Sequence, residues 1–235
     1  MKLSIIIPTF EEENYLPILF KSLKAQTYTD YEVIVADNKS ADETIHIADE
    51  YGAVVVPGGM PGKGRNCGAA IAKGDLLLFL DADVVIPPTF LADIVAEFYN
   101  RGLDIATCQI LPLSDRKMDI FLHQVYNYFI RLTQSFAPFA PGFCILVDRK
   151  IHTVIGGFDE GIFLGEDSEY VKRAARLSKF GVLLSHKVPV SVRRLDRDGR
   201  WNVCMKYILS GIYMSVIGDI RTNLFNYTFG HNEKK

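Results

Sequence analysis

Five apolar residues in succession, Leu76-Leu-Leu-Phe-Leu80, stop abruptly at Asp81-Ala82-Asp83. A run this short, with no turn former inside it, predicts a strand buried on both faces, as in an open, mostly parallel sheet. Such a sheet needs helices on both sides, so the run commits the chain to an α/β layout. On an extended backbone, residues two apart share a side, so Asp81 and Asp83 can converge with Ala82 turned away. Ligands of open α/β sheets bind beyond the carboxyl ends of the strands. Two hard oxygen donors there suit Mg²⁺ or Mn²⁺, with a diphosphate filling further positions of the ion. The same acids could instead cap the next helix in solvent, and a pattern of three residues does not decide between the two.

The residues before this run alternate strand and helix in the same way. Residues 3–7 are β-branched and apolar and stop at Pro8. Residues 14–26 carry Leu16, Leu19, Phe20 and Leu23 at helical spacing. Residues 31–36 predict a second strand ending at Asp37, and 53–56 a third. Between them, Ser40-Ala-Asp-Glu43 fits a capping box for a helix reaching about Tyr51. A glycine-rich stretch leads into a helix near 65–73, and 88–100 predicts another, with Leu91, Ile94, Val95 and Phe98 on one face. The sum is a Rossmann-like nucleotide-binding half.

Composition narrows the function. At 235 residues and 49% hydrophobic, the chain can bury a substantial core as one large domain. A net charge of −2 with no Lys/Arg block argues against nucleic-acid binding. Cys67, Cys108, Cys144 and Cys204 form no Cys-x-x-Cys pair and read as small core residues of a reducing compartment. The five histidines are isolated, which disfavours a zinc site. Met1-Lys2 runs straight into strand-like sequence and leaves no room for a signal peptide, so a cytoplasmic protein is expected.

Three strand ends offer groups to one ligand. After the first strand, Pro8-Thr9-Phe10 presents an aromatic that could lie against a base, and Glu12 could bond to the base or the ribose. Asp37, after the second, could accept from a base N–H. The alternatives are local: Asp37-Asn38 as a turn, and the Glu11–Glu13 acids as partners of a helix dipole. The stretch from Gly58 to Asn66 lacks the Gly-Lys-Ser/Thr ending of an ATPase loop. It offers Lys63 and Arg65, two cations on a mobile loop beside a helix N-terminus, to a diphosphate. The other reading is a solvated loop.

In order, Ser4-Ile-Ile-Ile-Pro-Thr-Phe, Val35-Ala-Asp37-Asn-Lys-Ser, Gly62-Lys-Gly-Arg-Asn66, Leu80-Asp81-Ala82-Asp83, Gly156-Gly-Phe-Asp159 and Phe163-Leu-Gly-Glu166-Asp167 resemble the inverting glycosyltransferases of family 2. The resemblance covers at least residues 3–200. It implies a single α/β domain of the GT-A type, a mostly parallel central sheet flanked by helices, with a C-terminal helical segment. It divides the chain into a nucleotide-binding half at about 1–105, an acceptor half at about 106–200, and an apolar helical segment and tail at 201–235. By position it gives the nucleotide to Pro8, Phe10 and Asp37, and the metal–diphosphate to Asp81-Ala82-Asp83. The base falls on Asp167, with Glu166 in reserve. Glu11 stands where relatives often have Asn, and Ala36-Asp37 where many have two acids. The Gln-x-x-Arg-Trp string of processive members does not occur, so one sugar per encounter is expected.

The chemistry follows from the donor. A nucleoside diphosphate sugar is already activated, so the protein must stabilise the departing diphosphate and deprotonate the acceptor hydroxyl. Glu166-Asp167 precedes a helical pattern, and Asp167 or Ser168 could simply be its N-cap. Arg193 and Arg194 could close over the diphosphate, or pair with Asp196 and Asp198 on the surface. A UDP-sugar is favoured, GDP next, with dTDP open; the acceptor is a glycan or a lipid-linked sugar or lipid phosphate. A sugar-nucleotide-forming nucleotidyltransferase and a non-catalytic nucleotide-sugar binder are the rival readings. An aromatic helix at 118–136 and a loop at 138–143 would face the acceptor. Residues 201–218 are apolar, too short in their uncharged part to cross a bilayer. They would pack on the core, lie peripherally at the cytoplasmic face of a membrane, or form a homodimer contact.

Overall fold

The structure, a computed structural model, describes residues 2–225 and 227. The end of the expected 201–235 segment therefore lies outside the described residues. Seven strands form one sheet: β1 (Leu3–Thr9), β2 (Tyr31–Asp37), β3 (Val54–Pro57), β4 (Leu76–Leu80), β5 (Ile105–Pro112), β6 (Cys144–Asp148) and β7 (Phe180–Val190). Their order is β3-β2-β1-β4-β6-β5-β7. All neighbours run parallel except β6, which is antiparallel to both β4 and β5. From β1 the chain steps outward to β2 and β3, then returns to place β4 on the other side of β1. That reversal of strand order opens a crevice at the carboxyl ends of β1 and β4.

The apolar run is apolar throughout because both of its faces are covered. Leu76, Leu78 and Leu80 join Leu3, Ile5 and Ile7 in one buried cluster with α1 (Leu16–Lys24) and α4 (Phe90–Asn100). Leu77 and Phe79 join Ile6 and Ile34 in a second cluster on the opposite face, with Ala69, Tyr170 and Val171. The alternation is that of an extended backbone. Truncating one of these side chains to alanine would cost roughly 2–5 kcal/mol.

Two local expectations change. The glycine-rich stretch is helical from its proline onward: α3 spans Pro61–Ile71, so Lys63 and Arg65 sit in its first turns and not on a mobile loop. Its glycines bring it close to the sheet, for a Cβ at Gly68 would stand 2.4 Å from Cγ2 of Ile6. The expected capping box at Ser40 does not form either. The helix after β2, α2, spans Thr44–Tyr51, and its Thr44 N–H donates to Asp42 (3.0 Å). Ser40 is taken up by Asp37 and by the backbone of Glu11 instead.

The second half adds α5 (Lys117–Thr133), α6 (Arg149–Val154), α7 (Glu166–Ala175), α8 (Arg193–Asp198) and α9 (Arg200–Val216). Among the described residues no helix is long and apolar enough to cross a membrane. The segment 201–218 packs on the domain through part of its surface: α9 buries Val203 and Ser210, and Met214 meets Gly165.

Candidate active site

β4 ends at Leu80, and the three residues after it do not continue as a strand. Ala82 and Asp83 lie in a turn, Ala82 buried. Val84 bridges to Val190, and the carbonyl of Asp83 accepts from the Ser191 N–H at 3.1 Å. The segment is thus clamped to the end of β7, which brings the following Arg193 over the acids. Nε of Arg193 lies 3.0 Å from Oδ2 of Asp83. Its terminal nitrogens donate to both oxygens of Glu12 at 2.8 and 2.7 Å, and its guanidinium lies 4.5 Å from the centre of the Tyr15 ring. Burial, with Asp81 and Glu12 nearby, pushes the Asp83 carboxyl up to about 6 against the pull of Arg193 and Arg194.

Arg65 makes the second bridge. α3 points it under the sheet end, 3% exposed. There it donates to Glu166 (2.7 Å), Asp81 (3.1 Å) and the Gly142 carbonyl (3.3 Å). Its guanidinium stands 5.4 Å from the centre of the Phe158 ring. Glu166 and Asp167 open α7, and the N-cap is Gly165, so neither Asp167 nor Ser168 is the N-cap that the sequence allowed. Gly165 has φ +85°, and a Cβ there would stand 2.5 Å from the sulfur of Met214 on α9. The positive φ favours glycine, and a larger residue would also push the Met214 side chain aside. Asp167 accepts from the Ser168 N–H at 2.7 Å. Burial and the adjacent Glu166 push its carboxyl up to about 7, with Arg65 opposing. A carboxylate poised near neutrality is suited to accept a proton.

At the other end of the crevice, Asp37 is buried between β1 and β2. Its oxygens accept from the Thr9 hydroxyl (3.0 Å), the Ser40 hydroxyl (2.6 Å) and the Ser40 N–H (2.8 Å). The turn expected of Asp37-Asn38 and a site position therefore coexist. The loops after β1 and β2 are stitched together, Glu12 N–H to Thr44 (2.8 Å) and Glu13 N–H to Asp42 (3.2 Å). Glu11 and Lys39 adopt φ of +55° and +59° at these two loops, a backbone region that non-glycine residues enter infrequently. Pro8 and Phe10 are half-buried beside them. Lys63 is exposed on α3.

Arg193 and Arg194 do not pair with Asp196 and Asp198. Arg194 donates to the Tyr207 hydroxyl at 2.8 Å. Sequence reasoning missed Tyr15 and Tyr207, aromatics with no local signature, as partners of Arg193 and Arg194, and Phe158, although it lies in the Gly156-Gly-Phe-Asp159 string, as the partner of Arg65. Gly142 had a signal, since it lies in the loop singled out at 138–143. Among the described residues no three His, Cys, Asp or Glu side chains are grouped as a cation set. Two hard-oxygen acids, Asp81 and Asp83, with Glu12 adding charge and a guanidinium balancing them, still match what a divalent ion bound through a diphosphate needs. A hollow of about 230 Å³ beside Asp83 is lined by Tyr15, Val84 and Ser191. A larger one of about 400 Å³, between α1 and α2, contains none of these groups.

The comparisons agree with this layout. The family model described as Glycosyl transferase family 2 matches residues 4–156. The poly(ribitol-phosphate) beta-N-acetylglucosaminyltransferase TarS of Staphylococcus aureus is 36% identical over 126 residues, which are 49% of this chain and 22% of that protein. The chain thus matches only about a fifth of that relative's length. Among solved structures, the mannosyltransferase PcManGT from Pyrobaculum calidifontis in complex with GDP-Man and Mn²⁺ superposes with a TM-score of 0.71 at 20% identity, over 92% of this chain and 64% of that one. S. aureus TarS 1–349 in complex with UDP-GlcNAc gives 0.66 at 23% identity, over 81% and 58%. At such identities the two structures show a shared GT-A fold.

Proposed function

Since the chain belongs to glycosyl transferase family 2, we propose that it transfers one sugar from a nucleoside diphosphate sugar, a UDP-sugar in the first instance, to a hydroxyl acceptor with inversion. The observation that carries this reading is the pairing across the crevice. Arg65 joins Asp81 at the donor side to Glu166 at the acceptor side, and Asp167 beside it is held ready to take a proton. On this reading residues 1–105 serve the donor, 106–200 the acceptor, and 201–235 form an appended segment.

Pro8, Phe10 and Asp37 line the base end, and Thr9 holds Asp37 in place. Asp81 and Asp83 would hold Mn²⁺ or Mg²⁺, which when bound supplies Lewis-acid stabilisation of the departing diphosphate. Arg193, and with it Arg194, supplies guanidinium charge on the same side. Lys63, exposed at the start of α3, offers a further cation to the phosphates. Asp167 takes the acceptor hydroxyl's proton while the oxygen attacks the anomeric carbon from the face opposite the diphosphate. Glu166, tied to Arg65, keeps that end of α7 fixed. The donors bound in the two solved structures, UDP-GlcNAc and GDP-Man, are consistent with a nucleoside diphosphate sugar here.

The test is a thermal-shift panel of UDP, GDP, dTDP and their sugars, with and without Mn²⁺ or Mg²⁺. Binding to the folded state raises the midpoint. A metal-dependent shift with one nucleotide, lost in Asp83→Ala, is the expected result. No shift with any nucleotide would defeat the proposal.

A further inference from the structure

α5 and α9 are built inside out. An amphipathic helix of a globular protein normally buries its apolar stripe and shows its polar face to water. In α9, Trp201, Met205, Ile208, Ile212 and Val216 recur at the i, i+4, i+7, i+11, i+15 spacing of a single face, and all are 50–78% exposed. In α5, Phe121, Val125, Tyr128 and Leu132 repeat the pattern at 50–70% exposure. The face that α5 turns inward is largely polar, and α9 buries Val203 and Ser210. α5 buries Asp119, Asn127 and Thr133 alongside Ile130.

Polar bonds dock both helices on the domain. The Asn127 side chain accepts from the Ile110 N–H (2.9 Å) and donates to the Ile110 carbonyl (2.8 Å), which fixes α5 to β5. Arg200 at the start of α9 donates to both oxygens of Asp119 at 2.5 and 2.8 Å. Tyr207 meets Arg194, and Met214 packs against Gly165 just before the acids of α7. Such bonds commit the inner face of each helix to the protein and leave the apolar stripe outward.

Charge selects the occupant. The two helices carry Lys117, Arg131 and Lys206 besides Arg200, which Asp119 and Asp196 take up, and Asp119 is the one acid on them. The whole chain has a net charge of −2, so this surface is positive against the average. A second copy meeting it face to face would bring two such cationic surfaces together. Aromatic and aliphatic tips flanked by cations instead fit an anionic bilayer surface. Because neither helix can span, the contact is in the plane of the interface.

We propose that the outward faces of α5 and α9 are a docking surface for a bilayer containing anionic lipid, on which the protein lies peripherally. The crevice beside Asp167 then opens close to that surface, because α9 touches both Gly165 and Arg194. The proposal goes beyond the donor chemistry and does not depend on it.

Trp201 is the only tryptophan of the chain and is 72% exposed, so it reports directly. The intact protein is mixed, without nucleotide, with vesicles of phosphatidylglycerol and phosphatidylcholine, or of phosphatidylcholine alone. Trp201 emission should shift to the blue and the protein should sediment with the anionic vesicles, less so at high salt. Paired Ile208→Glu and Ile212→Glu, and separately Phe121→Glu and Tyr128→Glu, should stay in the supernatant with unchanged melting midpoints. Wild type that ignores anionic vesicles, or stripe variants that sediment like wild type, would overturn the proposal. So would equal binding to neutral vesicles, or a concentration-dependent dimer abolished by the same substitutions.

Discussion

Nε of Arg193 lies 3.0 Å from a carboxylate oxygen of Asp83, so one of the two acids assigned to the metal already faces a cation of the protein's own. The ion and the guanidinium therefore compete for Asp83. Replacing Arg193→Ala should tighten Mn²⁺ binding in the absence of nucleotide by about tenfold, the equivalent of ~1.4 kcal/mol. Titration followed by electron paramagnetic resonance reads this directly. Unchanged or weaker affinity would mean that Arg193 does not oppose the ion.

On the proposed mechanism Asp167 sets the pH profile. It acts as a carboxylate, and burial beside Glu166 raises its carboxyl to about 7. Below that value kcat/KM should rise about tenfold per pH unit, then level off. Asp167→Asn should lower transfer by about a thousandfold while the donor-induced melting shift persists. Transfer near the wild-type rate would remove Asp167 from the role of base.

Arg65 is a stability residue as well as a site residue. Taking it away leaves Glu166 buried and Asp81 unpaired, and breaking a buried pair from one side costs about 3–5 kcal/mol. Urea denaturation of Arg65→Met should show a loss of that order. Arg65→Lys should recover only part of it, because an ammonium cannot fork between two acids.

His152 gives the fold an acid-side weakness. Its ring faces the Tyr170 hydroxyl at 2.9 Å, and burial lowers its pKa from 6.5 to about 4. The unfolded chain takes up a proton near 6.5 that the folded one refuses, so this contribution is complete above 6.5 and is lost as pH falls towards 4. His152→Gln should flatten the rise of stability with pH across that window in chemical denaturation. Asp167 acts with the opposite sign, since its raised carboxyl costs stability as pH climbs towards 7. The two slopes separate only in the single variants.

The first half of the chain was legible because its signals are local. Leu76–Leu80 is buried on both faces, and the helical spacing of Leu16, Leu19, Phe20 and Leu23 marks the buried side of α1. The misread helix start at Ser40 shows the limit of a local pattern: the hydroxyl had a better acceptor in Asp37, three residues back. In the second half, β6 gave little warning, for it enters the sheet between strands far from it in sequence. The arginines were visible as cations but their partners were not, and for Arg193 and Arg194 the nearby Asp196 and Asp198 stood in their place. Arg65 reaches Glu166 across 101 residues and Arg193 reaches Glu12 across 181, separations at which a single sequence has no periodicity to read. The outward stripes of α5 and α9 are also ambiguous in sequence, since helical spacing tells which residues share a face but not which way it looks.

The antiparallel β6 has a consequence for how the chain can be divided. It pairs with β4 over all five residues of the apolar run, Leu76↔Asp148 through Leu80↔Cys144. A fragment ending near residue 105 would keep β4 and lose its neighbour. It would then present an uncharged, unprotected row of backbone donors and acceptors, the template on which copies stack. The first half is thus no autonomous module: the later chain supplies the strand that keeps the earlier one soluble, and a fusion or library that cuts between them would select for aggregates.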